Sequence, residues 1–320
     1  FFLSFYVFGE QLTNQDVDVS SGSTLSNDAG LTVRELTGGP YTIDNRGTIE
    51  ASNITSNNST IRIEVGTTVD NSGLIDTDGS ANLNSIHFID NSESNSLTNS
   101  GTIQTETTGN YGQAIHVENT NLTEITNSSG GVIKVTDSAL NSGAIRVSGS
   151  SSVNIITNNE TISAVGTTHS RGIISINSAT IDRVTNTGTI SASGASNSNY
   201  GIVFWNNSGT TVTNSGTIQG TGGNYSYGIR LGDNGSISTI KNTGTIKGGK
   251  DGISNSGNVT NIVNTGTITG TSGYGIHNGD GSITNLTNSQ NNLTIIGNLP
   301  SNYYAKINSV SSYGKITATN

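Results

Sequence analysis

Residues 186–190 read Asn-Thr-Gly-Thr-Ile, and the same phrase returns at 242–246 and 264–268. Asn-Ser-Gly-Thr-Ile stands at 99–103 and 214–218, Asn-Arg-Gly-Thr-Ile at 45–49, and Asn-Ser-Gly-Leu-Ile at 71–75. Looser copies begin at Asn127 (NSSGGVI), Asn158 (NNETI) and Asn288 (NSQNNLTI). Successive Asn residues are 26, 28, 28, 31, 28, 28, 28, 22 and 24 positions apart. A period in the twenties marks a solenoid, in which each unit buries its apolar face only by stacking on its neighbours.

Two further apolar beats accompany each copy. One precedes the Asn, at Ile125, Ile156, Val184, Val212, Ile240, Ile262 and Leu286. The other is a Gly-Ile step, as in Tyr200-Gly201-Ile202, Tyr227-Gly228-Ile229, Asp251-Gly252-Ile253 and Tyr274-Gly275-Ile276. No segment carries a 3.6-residue apolar stripe long enough for a helix; β-branched residues between Asn, Gly and Ser read as short strands and turns. Strand faces alternate, so three strands per coil turn the Ile and Val side chains to one interior. The expected fold is all-β: a right-handed, single-stranded parallel β-helix (β-solenoid) of about ten coils of 22–31 residues. Its coils span residues 41–292. Residues 1–40 read as an N-terminal cap or signal-peptide remnant. Residues 293–320 read as a terminal coil or cap closed by Ile295, Ile296, Tyr303, Tyr304 and Ile307. Gly and Asn at the corners are expected to supply left-handed backbone, and stacked Asn side chains to form amide ladders.

Composition removes several function classes. The chain has 320 residues with 42 Gly, 2 Pro and no Cys, and charged residues are 11%, against roughly 25% in ordinary domains. Without Cys there is no disulfide framework and no Cys-based metal site. Net charge is −9, divided as −13 over residues 1–160 and +4 over 161–320. Lys and Arg are too sparse to neutralise a phosphate backbone, so no nucleic-acid partner is expected. The apolar run Phe1–Gly9 is too short to span a bilayer. It reads as the tail of a signal peptide or as a first strand.

Tandem Asn-Thr-Gly-Thr-Ile with Tyr-Gly-Ile between copies, ending in GNLPSNYY (297–304) and INSVSSYGKI (307–316), resembles the passenger regions of type V autotransporters. The likeness covers about residues 40–320. It implies Sec export, passage through an outer-membrane barrel encoded beyond Asn320, and display on a bacterial cell surface or release from it. The long, weakly charged face of Thr, Ser and Asn reads as a surface for adhesion or self-association through many weak contacts. The partners would be a host or neighbouring-cell surface, glycan or protein, or a second copy of the chain. No cofactor is implied.

The search for chemistry yields little. Glycoside hydrolysis needs two carboxyl groups about 5–9.5 Å apart. Asp76 and Asp78 share a coil, as do Asp90 and Glu93, while Asp233 and Asp280 occupy similar turns two coils apart. None has a basic partner in a fixed relation, so no catalytic residue is assigned. A β-helical lyase or hydrolase, or a passive stalk, is the alternative reading. His87, His116 and His277 each follow a Gly-Ile-beat isoleucine, and aligned coils put Arg146, Ile174, Val203 and Arg230 in the same outward column. His87 and His116 lie on adjacent coils within reach of one ion, but their column offers no third ligand, so no metal site is expected. The candidate contact patch is Trp205, the only Trp, with Val203, Tyr200 and Tyr225. Val203 and Trp205 should face out, and Ile202 and Phe204 in.

Overall fold

Successive repeats contribute strands to three parallel sheets, which among the described residues hold 12, 10 and 12 strands. One coil runs through Tyr41–Asn45 in the first sheet, Thr48–Ile54 in the second and Asn58–Ile63 in the third, then re-enters the first at Thr67–Asn71. The computed structural model describes residues 17–19, 24–27, 34–36, 40–89, 94–137, 141–194, 196–206, 210–309 and 311–319. The run Phe1–Gly9, Asp90 and Glu93 lie outside the described residues.

The Ile that ends each Asn-x-Gly-x-Ile builds the core. Ile49, Ile75, Ile103, Ile133, Ile162 and Ile190 stack in strict register along the second sheet. All are buried, each contributing about 1.5–3 kcal/mol. Two positions further along, the same column reads Ala51, Thr77, Thr105, Val135, Ala164, Ala192, Gly220, Gly248. From Val135 onward the side chains shrink to Ala and then to Gly. At Gly220 the third sheet is so close that a Cβ would lie 2.1 Å from the Asn199 carbonyl oxygen. The interior is not wholly aliphatic. Thr60 Oγ1 lies 2.5 Å from Thr77 Oγ1, Thr77 donates to Ser85 Oγ at 3.1 Å, and Ser85 lies 2.7 Å from Thr105 Oγ1. These hydroxyls satisfy one another where the second sheet turns into the third.

The repeat Asn forms an unbroken buried ladder. From Asn45 through Asn71, Asn99, Asn127, Asn158, Asn186, Asn214, Asn242 and Asn264 to Asn288, each Nδ2 donates to the next Oδ1 at 2.6–2.9 Å. The same amide also donates to corner carbonyls, as Asn186 does to Gly188 at 3.0 Å and Thr217 at 3.1 Å.

The corner glycine has a different cause from the one expected. The left-handed residues are elsewhere, at positions such as Asn53, Asn119 and Gly222. What the corner needs is the absence of a Cβ. At Gly73, Gly101, Gly188, Gly216 and Gly244 a Cβ would sit 2.0–2.1 Å from a carbonyl oxygen of the coil beneath. Glu160 occupies this position in one coil. It stacks on the corner that holds two extra residues, where Gly130 adopts φ 84°.

At the C-terminal end, Leu293–Gly297 continues the third sheet and Asn302–Ala305 the first. Ile295 is fully buried and Tyr303 packs against the core. Tyr304 and Ile307 do not close the end: Ile307 is 75% exposed, on a short antiparallel pair with Ser312–Tyr313. The second sheet ends instead at Thr267–Gly270, where Gln290 stands in for a strand. Its Oε1 accepts from Ile268 N at 2.7 Å and its Nε2 donates to Ile268 O at 3.0 Å.

Candidate functional site

The outward face of the third sheet collects the side chains that carry chemistry. Register aligns His87, His116, Arg146, Ile174, Val203 and Arg230 in one column, as the coil alignment implied, with Ser254 and His277 beyond. The neighbouring column runs Gln113, Gly143, Arg171, Tyr200, Tyr227, Asp251. Two hollows lie along this face. One, of about 430 Å³, is lined by Tyr111, His87, His116, Glu118 and Arg146. The other, of about 360 Å³, is lined by Tyr200, Trp205, Tyr225, Tyr227, Arg230 and Lys250. A narrow saddle at Arg146 and Arg171 separates them.

The second hollow contains most of the expected contact patch. Tyr200 and Tyr227 stack with ring centroids 5.6 Å apart and planes at 4°. The Arg230 guanidinium lies 5.6 Å from the Trp205 ring and 5.8 Å from that of Tyr227, and Lys250 Nζ lies 4.9 Å from the Tyr225 ring. These are cation–π distances. The indole fits because the next coil carries Gly232, where a Cβ would come within 2.3 Å of the Trp205 ring. Burial, with Asp251 adding to it, pushes the Tyr227 phenol up to about 12.

Val203 is a correction. It leaves the main core, as alternation requires, but it is completely buried in a second apolar cluster with Ile174, Tyr200 and Tyr227, against which Trp205 packs. Aromatic rings on its own and the next coil cover it, so it supports the patch without meeting a ligand. Tyr200 is also largely covered, at 7% exposure, whereas Tyr225 is 49% exposed. Tyr227, Arg230 and Lys250 went unassigned because their place beside Trp205 depends on coil stacking. The recurring Tyr-Gly-Ile was the available signal.

At the saddle, burial lowers the pKa of both Arg146 and Arg171. Among the described residues, neither Nε has a hydrogen-bond partner. Arg171 Nη1 donates to Asn141 Oδ1 at 3.3 Å. Burial, then the charge of Arg171, also lowers the His169 pKa.

In the first hollow the His87 and His116 rings stack 4.5 Å apart with planes at 3°. His87 Nε2 lies 3.1 Å from Glu118 Oε2, and His116 Nε2 lies 2.9 Å from Ser148 Oγ. Burial, followed by His87 and Arg146, holds the His116 pKa well below 6.5, so this imidazole is neutral at neutral pH. The column of His87 and His116 offers no third ligand, as expected, but Glu118 supplies one from the neighbouring column. It is two residues beyond His116 on the same face of Tyr111–Glu118 and reaches back toward the coil of His87. The three residues offer donor atoms all within 4.8 Å of one another. His-x-Glu at 116–118 carried that signal in the neighbouring column.

The acids weighed from sequence are scattered. Asp76 and Asp78 lie on the second sheet, where burial raises the pKa of Asp76. Asp280 borders the aromatic hollow, and Asp233 is not among its lining residues. Asp251 is buried, accepting from Tyr274 N at 2.7 Å, with His277 Nδ1 at 3.4 Å from its other oxygen. No protein-family profile, curated protein or solved structure matches the chain.

Proposed function

We propose that this chain is a length of bacterial surface β-solenoid, of the autotransporter-passenger kind that its repeats resemble. It acts in adhesion by holding an acidic saccharide chain along the outer face of the third sheet. The observation that carries this reading is the aromatic hollow of Trp205 and Tyr225 with the cations over them, floored by the buried Tyr200 and Tyr227. Aromatic rings with a polar tip offer an apolar face and a hydrogen-bonding edge at once, which suits the C–H faces and hydroxyls of sugars. Arg146 and Arg171 lie next along the groove; their Nε atoms are buried, and the part-exposed remainder of each guanidinium suits carboxylate or sulfate groups. Contacts repeated coil by coil make binding multivalent, so modest single contacts add along a chain.

The test is retention of the purified rod in gels containing uronic-acid polysaccharide or a neutral glucan. Wild type is retained by the acidic polymer, and Trp205→Ala weakens retention at least tenfold. Equal mobility of wild type with and without polymer would sink the reading. Shortened or unsaturated products in the same incubation would replace it with a lyase or hydrolase. Surface exposure is tested separately, by protease shaving of cells that express the complete gene.

A further inference from the structure

We infer that His87, His116 and Glu118 form a binding site for a zinc-class divalent ion, distinct from the aromatic hollow. Two imidazole nitrogens and a carboxylate oxygen form a donor set suited to Zn²⁺, Cu²⁺ or Ni²⁺ rather than to Ca²⁺ or Mg²⁺, which prefer all-oxygen shells. Geometry brings the three together from adjacent coils: His87 and His116 are register partners, and Glu118 follows His116 by two positions on its strand. Their donor atoms lie within 4.8 Å of one another, and the His87–Glu118 pair is already at 3.1 Å.

A tetrahedral zinc with bonds of about 2.0–2.1 Å holds its donors about 3.3–3.5 Å apart. Reaching that geometry takes rotation of both imidazoles about their side-chain bonds. The parallel rings, stacked at 3°, must tilt so that their in-plane lone pairs converge. The adjoining hollow, about 430 Å³, leaves room for this and for water or a ligand at the remaining coordination positions. Ser148 Oγ, 2.9 Å from His116 Nε2, serves as the outer partner of a metal-bound imidazole when His116 ligates through Nδ1 and gives way to the ion when it ligates through Nε2. Arg146, the next residue in the column, opposes a bound cation, and the Glu118 carboxylate offsets it. The site does not depend on the saccharide reading.

The experiment uses the untagged full chain, stripped with a chelator and titrated with Zn²⁺ by calorimetry and with Co²⁺ by visible absorption. One ion binds per chain, and cobalt gives the d–d bands of a low-symmetry nitrogen–oxygen site. His116→Asn and Glu118→Gln each weaken binding at least tenfold. Arg146→Met strengthens it, because a repelling charge is replaced by a side chain of similar bulk. His277→Ala leaves it unchanged. The proposal is overturned if wild type shows no saturable zinc binding, if Glu118→Gln binds as wild type does, or if His277→Ala abolishes binding. Glu118 borders the open groove, so Glu118→Gln retains the fold and decides the matter even if His116→Asn does not fold.

Discussion

Asn186 accepts from Asn158, donates to Asn214, and also donates to the carbonyls of Gly188 and Thr217. One short amide thus ties three coils together in a place water does not reach. Asn186→Ala removes the donor to Asn214 Oδ1 and to both carbonyls. The expected loss is about 2 kcal/mol, since stranding a buried polar group costs about 1–3 kcal/mol. Equilibrium urea unfolding measures it, and a change under about 0.5 kcal/mol, the usual range for surface substitutions, would count against the ladder as a stabilising feature. The corner glycines act through the same closeness. Their Cα atoms sit where a carbonyl of the preceding coil already fills the space of a Cβ.

At the scale of the strand, the vulnerable feature is an open sheet edge. The second sheet stops two strands short of its neighbours, and Gln290 meets its last strand with a side-chain amide that reproduces both bonds of a partner backbone. Gln290→Ala should therefore speed hydrogen exchange at the Ile268 amide about tenfold, the equivalent of losing roughly 1.4 kcal/mol of protection. Exchange measured by NMR or mass spectrometry checks this, and unchanged protection at Ile268 would remove the capping role. Alternation also explains why the candidate sites share one face. Inward positions of the third sheet are filled by Ile, Val, Leu and Phe with a few small buried polar residues such as Ser175, Asn255 and Asn278, so His, Arg, Tyr and Trp can vary only on the outward columns.

For the whole molecule, stability follows a nearest-neighbour rule, since each coil touches mainly the ones before and after. Excising residues 214–241, one 28-residue repeat, joins Thr213 to Asn242 and keeps every ladder in phase. The shortened protein is expected to fold, with a β-rich dichroism spectrum and a length reduced by about 4.8 Å in small-angle scattering. Because the excision removes Tyr225, Tyr227 and Arg230 but spares His87, His116 and Glu118, it should lose saccharide retention and keep zinc binding. An unfolded product would show that the coils are not interchangeable units.

The spacing of Asn-x-Gly-x-Ile was enough to establish the parallel solenoid, its three strands per coil, the Asn ladder and the residues aligned in each column. A stacked fold converts sequence period directly into spatial neighbourhood, so register is legible from the chain alone. Depth above the sheet was not legible. Whether Val203 is a contact or a floor depends on where the Tyr200 and Tyr227 rings lie over it, and the corner glycine's role depends on the height of the coil beneath. Glu118 joins His87 and His116 across two columns, and Gln290 takes the place of a missing strand. These arrangements depend on side-chain reach between neighbouring coils, a distance of a few ångströms that only the tertiary structure sets.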